Sequence, residues 1–235
     1  SSEGETLIFD QNKVLEMVAT GAPFKEVLNE IVLHIEKAMD EGACTIHLVN
    51  EYGTNLKLGA APNLPSEYNE YIQNVPVGPK VGSCGTAAFF KRIIIVSDIA
   101  NDPLWKESRE IALKHKLRAC WSSPICDTNE NLLGVFGLYY DSPFIPSERD
   151  KQIIKKASHL TSIVLQHYRS NEVLNYLASH DELTGLANRR SFEEKVNIAI
   201  KLYKEEEGKF LGILYFDLDQ FKRINDYLGH RVGDQ

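Results

Sequence analysis

The feature that most constrains the fold is one helical segment, from Ser147 to about His180, which divides the chain into two unequal parts. Ser147 with Asp150 predicts a capping box at its start. Residues recur along it at alternating steps of four and three, namely Ile153, Ala157, Leu160, Val164, His167, Asn171, Leu174 and Ala178. This seam is typical of a two-stranded coiled coil, and the alternative is an amphipathic helix packed on its own domain. We favour the coiled coil because the seam is sustained and lies between two domains. We therefore expect a parallel homodimer through residues 150–178, within a helical stalk at 147–180.

The part before this helix predicts an α+β domain over residues 1–146. Two hairpins are indicated, ACTIHLVN with NLKLGAAP and CWSSPICD with LLGVFGLYYD, because each pair of strand-like runs is joined by a short polar turn. The β-branched run IIIVSDI predicts a buried strand. Helical spacing predicts two helices within 10–41, a short helix at 65–74 and another at 103–116. This order predicts a mostly antiparallel sheet flanked by helices.

The part after the long helix, residues 181–235, predicts a truncated α/β segment. DELTGLANRR predicts a capped turn before a helix at 191–207, which Gly208 ends. FLGILYFDLD predicts a strand, and QFKRINDYLG predicts a loop followed by a helix. Since this α–β–α order offers the strand no partner, we expect the segment to be part of a larger domain.

Composition excludes several classes of protein. A net charge of −7 and a pI near 5.5 argue against general nucleic-acid binding, because such domains are usually basic. The four cysteines form no CxxC pair, which disfavours zinc and thioredoxin-like sites. The first residues, SSEGETLIFDQNK, lack the apolar core of a signal peptide, and no apolar run is long enough to span a bilayer. We expect a reduced, cytoplasmic protein that contacts no membrane.

Two carboxylates, Asp217 and Asp219, stand two residues apart on the predicted strand, so their side chains share one face. Mg²⁺, with Mn²⁺ as a substitute, suits such a pair because it prefers carboxylate oxygens together with substrate phosphates. A calcium-binding EF-hand is excluded, because Phe221 and Lys222 occupy positions where that loop needs an oxygen ligand and a glycine. The alternative, for so short a pattern, is a pair of solvated acids.

The residues that follow favour a nucleotide. Backbone N–H groups at 220–222 begin a helix and suit phosphate oxygens, and Lys222 adds a positive charge. Asn225, Asp226 and Asp234 supply amide and carboxylate groups. A carboxylate beside an amide matches the donor and acceptor groups on the edge of guanine. Metal, phosphate and base partners thus follow one another in the sequence.

The run FDLDQFKRINDYLGHRVGD resembles the first half of a GGDEF domain, the catalytic fold of diguanylate cyclases, and DELTGLANRR is similar to the segment that opens such domains. The resemblance implies that Asp217 and the carbonyl of Leu218 bind the metal. It further implies a set of nucleotide contacts and a set of joint residues: Phe221 and the catalytic Lys222 at the triphosphate, Asn225 and Asp234 at the guanine, and Asp181, Asn188 and Arg189 at the joint with the stalk.

The reaction implied by the resemblance joins two GTP molecules into cyclic di-GMP, by two attacks of a 3′-hydroxyl on an α-phosphate. Each monomer would hold one GTP, which gives a dimeric stalk a purpose. The signature Gly-Gly-acid-Glu-Phe turn of the family lies downstream of the matched region and is absent from these 235 residues. We therefore expect this polypeptide alone to be inactive as a cyclase.

The first domain resembles a GAF domain, a small-molecule sensor with a pocket between sheet and helices. The resemblance covers about residues 10–146 and rests on KVGSCGTAAF, IIIVSDIANDPLW and LRACWSSPICDTNENLLGVFGLYY. Candidate residues for a pocket with an unknown ligand are Cys84, Thr86, Asp98, Trp105, Cys120, Trp121 and Ser123. The two tryptophans are equally consistent with core packing.

Cys84 lies between glycines at the predicted start of a helix, a setting that lowers a thiol pKa. It is either a redox or adduct site or an inert buried thiol, and we favour the inert thiol. A bilin chromophore is disfavoured because no cysteine is followed directly by histidine. Haem remains open through His34, His47 or His115.

Two hypotheses for function follow. In the first, the GAF domain regulates a diguanylate cyclase through the stalk. In the alternative, the chain is a ligand-binding regulatory dimer whose degenerate GGDEF segment controls a downstream domain, such as a cyclic di-GMP phosphodiesterase.

Overall fold

The computed structural model describes residues 11–39, 42–203 and 211–234. They form two compact units, and the boundary along the chain falls between Tyr168 and Arg169. The sequence predictions for residues 1–10, 40–41, 204–210 and 235, among them the end of the second helix and the stop at Gly208, lie outside the described residues.

The first unit is built on one six-stranded antiparallel sheet with the order β3-β2-β1-β6-β5-β4. Its strands are β1 Ala43–Val49, β2 Asn55–Ala60, β3 Asn74–Pro76, β4 Ile94–Val96, β5 Ala119–Cys126 and β6 Leu132–Tyr140. Both predicted hairpins, β1 with β2 and β5 with β6, are confirmed. The central pair is β1 with β6, which joins the two hairpins into one sheet.

Helices cover both faces of this sheet. They are α1 Gln11–Ala19, α2 Phe24–Met39, α3 Ser66–Tyr71, α4 Gly82–Phe90, α5 Arg109–Lys114 and the first part of α6 Glu148–Ser179. One core cluster combines apolar side chains of α1, α2 and α6 with one face of the sheet. A second and a third cluster lie with α3, α4 and α5 on the opposite face. The α+β architecture predicted from the sequence is confirmed.

Two local predictions differ from the structure. The run at 93–99 forms only a three-residue edge strand, and Ile95 is 41% exposed, because β4 has a neighbour on one side alone. The predicted helix at 103–116 is divided into a 3₁₀ turn, Pro103–Trp105, and α5. Asp102 caps that turn as predicted, since its carboxylate accepts from the Leu104 N–H at 2.8 Å.

The long helix α6 begins with the predicted capping box, in which the Ser147 hydroxyl and the Asp150 carboxylate bond each other's backbone N–H groups. Its first half packs on its own domain. The seam residues Ile153, Ala157 and Leu160 are buried in the core of the first unit, as is Val164. For this half of the seam the coiled-coil prediction is corrected to the alternative, an amphipathic helix packed on its own domain, because these side chains are already covered by the same chain. The first unit accordingly extends beyond the boundary predicted at residue 146.

The second unit contains the rest of α6 together with α7 Arg189–Tyr203, α8 Phe221–Leu228 and α9 His230–Gly233. Residues 211–218, in the predicted strand, have no regular secondary structure. The prediction of a strand is wrong, because no described segment pairs with these residues and their backbone groups lack a ladder. Leu214, Tyr215 and Phe216 are each more than 80% exposed.

Among the described residues, no helix combines the length and apolar character that a membrane span needs.

Candidate functional site

A small cavity lies in the first unit between helices α3 and α4 and one face of the sheet. The volume of the cavity is about 50 Å³. Its walls combine apolar groups with a few polar ones, namely His47, Tyr68, Tyr71, Ile72, Val75, Val81, Gly82, Ser83, Cys84, Trp105, Ser108 and Tyr139. A concave, mostly apolar site with a few buried polar groups is the usual form of a small-ligand pocket.

Helix α4 brings Cys84 to this cavity. The helix packs against β5 and β6, and Cys84 is its third residue, only 6% exposed. The Cys84 sulfur lies 3.1 Å from the hydroxyl oxygen of Ser122 on β5. Hydrogen bonds from Cys120, His47 and Ser122 lower the pKa of Cys84 well below its ordinary value, with Cys120 as the main contributor, although burial opposes this.

A buried relay of hydrogen bonds fixes the next part of the wall. The Trp105 indole Nε1–H donates to the Ser83 hydroxyl at 3.0 Å, and that hydroxyl donates to the Cys120 carbonyl at 3.2 Å. The relay joins the 3₁₀ turn, α4 and β5, so it holds three separate segments at fixed spacing. Both side chains are nearly inaccessible to solvent, which strengthens the constraint.

His47 is fully buried on β1 and faces the same cavity. Its Nε2 lies 3.3 Å from the Ile72 carbonyl, which can only accept, so Nε2 carries a proton. Its Nδ1 lies 3.3 Å from the Thr45 hydroxyl. The ring is therefore held at both nitrogens.

Two tyrosines also line the cavity. The rings of Tyr68 and Tyr139 meet edge to face with centroids 5.7 Å apart. Burial raises the pKa of both phenols well above the ordinary value, so both stay neutral near pH 7. They offer polar O–H groups without charge.

Of the seven pocket residues predicted from the sequence, Cys84 and Trp105 line the cavity and five do not. Cys120 lies directly behind Cys84, on the cavity side of β5. Trp121 faces the other side, in the core with α2 and α6, because successive strand residues point to opposite faces. The same alternation places Ser123 on the side of Trp121.

Thr86 and Asp98 have structural roles instead. The Thr86 hydroxyl accepts from the Val81 N–H at 3.1 Å and so closes the turn before α4. Asp98 accepts from the Asn101 amide at 2.6 Å, and this bond is the main cause of its lowered pKa. It also pairs with Arg118 at 3.4 Å. These two residues are corrected from pocket to scaffold.

Sequence reasoning did not assign Tyr68, Tyr139 or Ser83 to the pocket. For His47 a usable signal was present in the sequence. The alternation in ACTIHLV sets Thr45 and His47 on the face of the sheet opposite Cys44 and Ile46. The other two histidines considered for haem lie elsewhere. His34 bonds the Glu30 carbonyl on α2, and His115 pairs with Glu67.

The residues predicted to bind GTP and metal lie in the second unit. Asp217 and Leu218 belong to the irregular run 211–218, whereas Phe221, Lys222 and Asn225 lie on α8. Asp217, Leu218 and Lys222 are exposed. Asp234 follows α9 and is also exposed. Asn225 is half-buried, and its Oδ1 is buried with no hydrogen-bond partner among the described residues.

The donor types at Asp217, Leu218 and Asp219 suit Mg²⁺, since it prefers hard oxygen ligands. The described residues nevertheless contain no group of three metal-binding side chains at metal-site spacing. These donors therefore match the metal in type but do not by themselves make up a complete site.

The predicted joint residues are held by local hydrogen bonds and an ion pair. The Asp181 carboxylate accepts from both the N–H and the hydroxyl of Thr184, at 3.0 and 2.8 Å, which lowers its pKa. The Asn188 amide donates to the Ala178 carbonyl at 2.8 Å, while its Oδ1 caps α7 through the Ser191 N–H at 3.0 Å. Arg189 instead pairs with Glu193 of its own helix.

Comparisons with known proteins match both parts of the chain. Residues 21–166 match the family model of the GAF domain, and residues 178–235 match that described as diguanylate cyclase, GGDEF domain. The GAF structure from the phosphoenolpyruvate-protein phosphotransferase of Coxiella burnetii covers 73% of this chain and 99% of its own, with a TM-score of 0.58 at 17% identity. At that identity the likeness shows the fold alone.

Two curated relatives extend the comparison. The methyl sulfide methyltransferase-associated sensor of Methanosarcina acetivorans is 34% identical over 97% of this chain, which spans 21% of the sensor. The cyclic di-GMP phosphodiesterase PdeR of Escherichia coli is 38% identical over 31% of this chain and 10% of its own length. The chain thus spans about a fifth or less of these two relatives.

The GAF model covers more than half of the chain, and the sheet order and cavity agree with it. The chain belongs to the GAF domain family, with a GGDEF domain match after it.

Proposed function

We propose that this chain is part of a cyclic di-GMP signalling protein. In this proposal a small ligand binds in the GAF cavity, and its binding regulates a diguanylate cyclase. The observation that carries the proposal is that one chain holds a GAF cavity and, after α6, a match to the GGDEF domain over residues 178–235. Because α6 supplies core residues to the first unit and leads to the capped turn at Asp181, it is the proposed connection between sensing and output.

GTP is the proposed substrate of the GGDEF part, with Mg²⁺ or Mn²⁺ as cofactor. Bound metal would neutralise phosphate charge and lower the pKa of the attacking hydroxyl. Asp217 and the Leu218 carbonyl are its proposed ligands, Phe221 and Lys222 the phosphate contacts, and Asn225 with Asp234 the guanine contacts. The unpartnered Oδ1 of Asn225 supports this role, since a buried acceptor needs a donor and guanine supplies one.

The test is the conversion of GTP to cyclic di-GMP by the full-length protein, with product measured by chromatography. We expect turnover that Asp217→Ala abolishes. Glu51→Ala, at an exposed acid in the turn between β1 and β2, should change the rate by no more than a few-fold. Full activity in Asp217→Ala would remove this residue from the site.

A second function is favoured by the match to a phosphodiesterase, PdeR. In that case the GGDEF segment binds GTP without turning it over and regulates a further domain. Three measurements separate the two functions. A regulator forms no cyclic di-GMP in the assay above, although it binds GTP in calorimetry. It also changes the rate at which added cyclic di-GMP is hydrolysed when GTP is present.

A parallel dimer is proposed through the last part of the stalk alone. Residues 169–178 of α6 lie in the second unit, and Val173, Leu174 and Tyr176 are each more than half exposed. Such exposed apolar groups on one helix suit a partner helix. Sedimentation that shows only monomers from micromolar to near-millimolar concentration would contradict it.

The ligand of the cavity is testable directly. Mass spectrometry under native conditions and an absorption spectrum of the purified protein would reveal a retained molecule. Because the cavity volume is only about 50 Å³, we expect a small ligand and no absorption band of haem or bilin.

A further inference from the structure

Two buried thiols lie side by side at the cavity wall. The Ser122 hydroxyl oxygen is 3.1 Å from the Cys84 sulfur and 3.9 Å from the Cys120 sulfur, so both thiols contact the same hydroxyl group. All four cysteines belong to the described residues, and none of them is in a disulfide. The nucleotide chemistry proposed above uses neither thiol.

The two sulfurs have opposite environments. Cys84 lies in the first turn of α4, where the helix dipole favours an anion, and it receives hydrogen bonds that lower its pKa. Cys120 lies within β5, fully buried, and desolvation raises its pKa well above the ordinary value. One sulfur is thus suited to be a thiolate, and its neighbour to be a protonated thiol.

His47 lies next to Cys84 and helps to lower the pKa of that thiol, by a hydrogen bond and by its electrostatic interaction with the sulfur. Its Nε2 donates to the Ile72 carbonyl, and its Nδ1 faces the Thr45 hydroxyl. Thr45 also lies 3.4 Å from the Gly137 carbonyl, to which its hydroxyl can donate. These contacts fix the imidazole beside the buried sulfur.

The cavity gives Cys84 access to a small reagent while shielding it from large ones. The open volume exceeds what one water needs, and hydrogen peroxide is only slightly larger than water. On the sheet side, a Cβ on Gly137 would lie 3.0 Å from the Cys84 sulfur and 2.6 Å from the Thr45 hydroxyl oxygen. Glycine at this position therefore leaves room for the sulfur.

We propose that Cys84 is a peroxide-reactive thiol and that Cys120 converts its oxidised form into an intramolecular disulfide. The Cys84 thiolate attacks one oxygen of hydrogen peroxide, an S–O bond forms as the O–O bond breaks, and the hydroxide that leaves takes up the proton that the Cys84 thiol lost on ionisation, which gives the first water. Sulfur is oxidised to sulfenic acid and the peroxide is reduced. The Cys120 sulfur then attacks the Cys84 sulfur, and the departing hydroxide takes the Cys120 proton as water. Two thiols and one peroxide thus give one disulfide and two waters.

Cys126 is the matched control. It is half-buried, whereas the other three cysteines are buried, yet its pKa is raised above the ordinary value, mainly by desolvation. Exposure alone would make Cys126 react first, whereas thiolate character makes Cys84 react first. The order of reaction therefore distinguishes the built site from simple accessibility.

The experiment exposes the native chain to a few equivalents of hydrogen peroxide, blocks the remaining thiols, and maps peptides by mass spectrometry. We expect a peptide pair linked through Cys84 and Cys120 before Cys126 is oxidised. Cys120→Ser should stop at sulfenic acid on Cys84, trapped by dimedone that is added as the oxidised chain is unfolded, and Cys84→Ser should give neither product. Cys126→Ser should behave as the unsubstituted chain.

His47→Asn tests the contribution of the imidazole to the reactivity of Cys84, because asparagine keeps a polar side chain at this position without the imidazole ring. We expect Cys84 to be oxidised at least about tenfold more slowly, with the near-ultraviolet circular dichroism unchanged. Oxidation of Cys126 ahead of Cys84, or dimedone capture at Cys84 with no link to Cys120 in the unsubstituted chain, would overturn the proposal.

Discussion

At the scale of single residues, the cavity depends on side chains that each bond two partners. Ser83 is the strongest case, since its hydroxyl accepts from Trp105 and donates to the Cys120 carbonyl. We predict that Ser83→Ala lowers the free energy of unfolding by about 1–3 kcal/mol, because the indole N–H is left buried without an acceptor. Urea denaturation measures this change.

Ser162→Ala is the control, because Ser162 is similarly buried but its hydroxyl donates to the His159 carbonyl within its own helix. Its loss should be well below that of Ser83→Ala. Equal losses in the two variants would show that the Trp105 bond contributes little.

A second residue-scale prediction concerns Asp181. Hydrogen bonds from Thr184 lower its pKa, so its contribution to stability is present above the unfolded pKa, about 3.9, and is lost as pH falls through the folded value. We predict that Thr184→Val raises the pKa of Asp181 towards the ordinary value, since the hydroxyl donor is lost and the N–H remains. A carbon-13 titration of the carboxylate measures it, and an unchanged pKa would contradict the assignment.

Sequence reasoning at this scale succeeded where chemistry is local. The Asp102 cap and the Ser147 capping box follow from residues two or three apart. It failed for Trp121 and Asp98, because which face of a strand meets the cavity, and which loop folds over it, depend on partners far along the chain. No short pattern records those partners.

At the scale of elements, α6 has two halves with different surroundings. Leu160 is 4% exposed and Leu174 is 62% exposed, although both occupy the same predicted seam. We predict that Leu160→Ala costs about 2–5 kcal/mol of unfolding free energy through the cavity it leaves. Leu174→Ala should cost the monomer less than about 0.5 kcal/mol and act on dimer dissociation instead.

Denaturation at low concentration and sedimentation at high concentration separate these effects. Similar losses of stability for both variants would indicate that the two halves are packed alike. The spacing of a seam predicts a helix with one apolar face, and both halves are helical as predicted. It does not determine whether a sheet or a second chain covers that face, because both present similar apolar surfaces.

At the scale of the whole molecule, the described residues form two different units. The first has buried core clusters on both faces of its sheet, and the large apolar side chains of the second are mostly exposed. We predict that chymotrypsin cleaves the native chain first at Tyr215 or Phe216, which are 91% and 86% exposed. Aromatic residues of the first unit, such as Tyr139 at 3%, should be protected until it unfolds.

Peptide mapping over time gives the order of cleavage, and an early cut within 43–165 would contradict the prediction. Sequence patterns predicted the fold class of the first unit well, because its hairpins are local. They predicted a strand at 210–219 that the described residues 211–218 do not form, since a strand depends on a neighbour and alternation alone supplies none.

The single sheet of the first unit has a consequence for the timing of a response. Cys120 lies on the side of the sheet that carries the cavity, whereas Trp121, the next residue, lies in the same cluster as Ile154 and Ala157 of α6. Only one peptide bond separates the two environments, and that bond is rigid and planar. A change at the Cys120 sulfur that moves its backbone therefore reaches the core of α6 without loop rearrangement, so the rate of chemistry at the cavity, and not a slow refolding step, would set the speed of the signal.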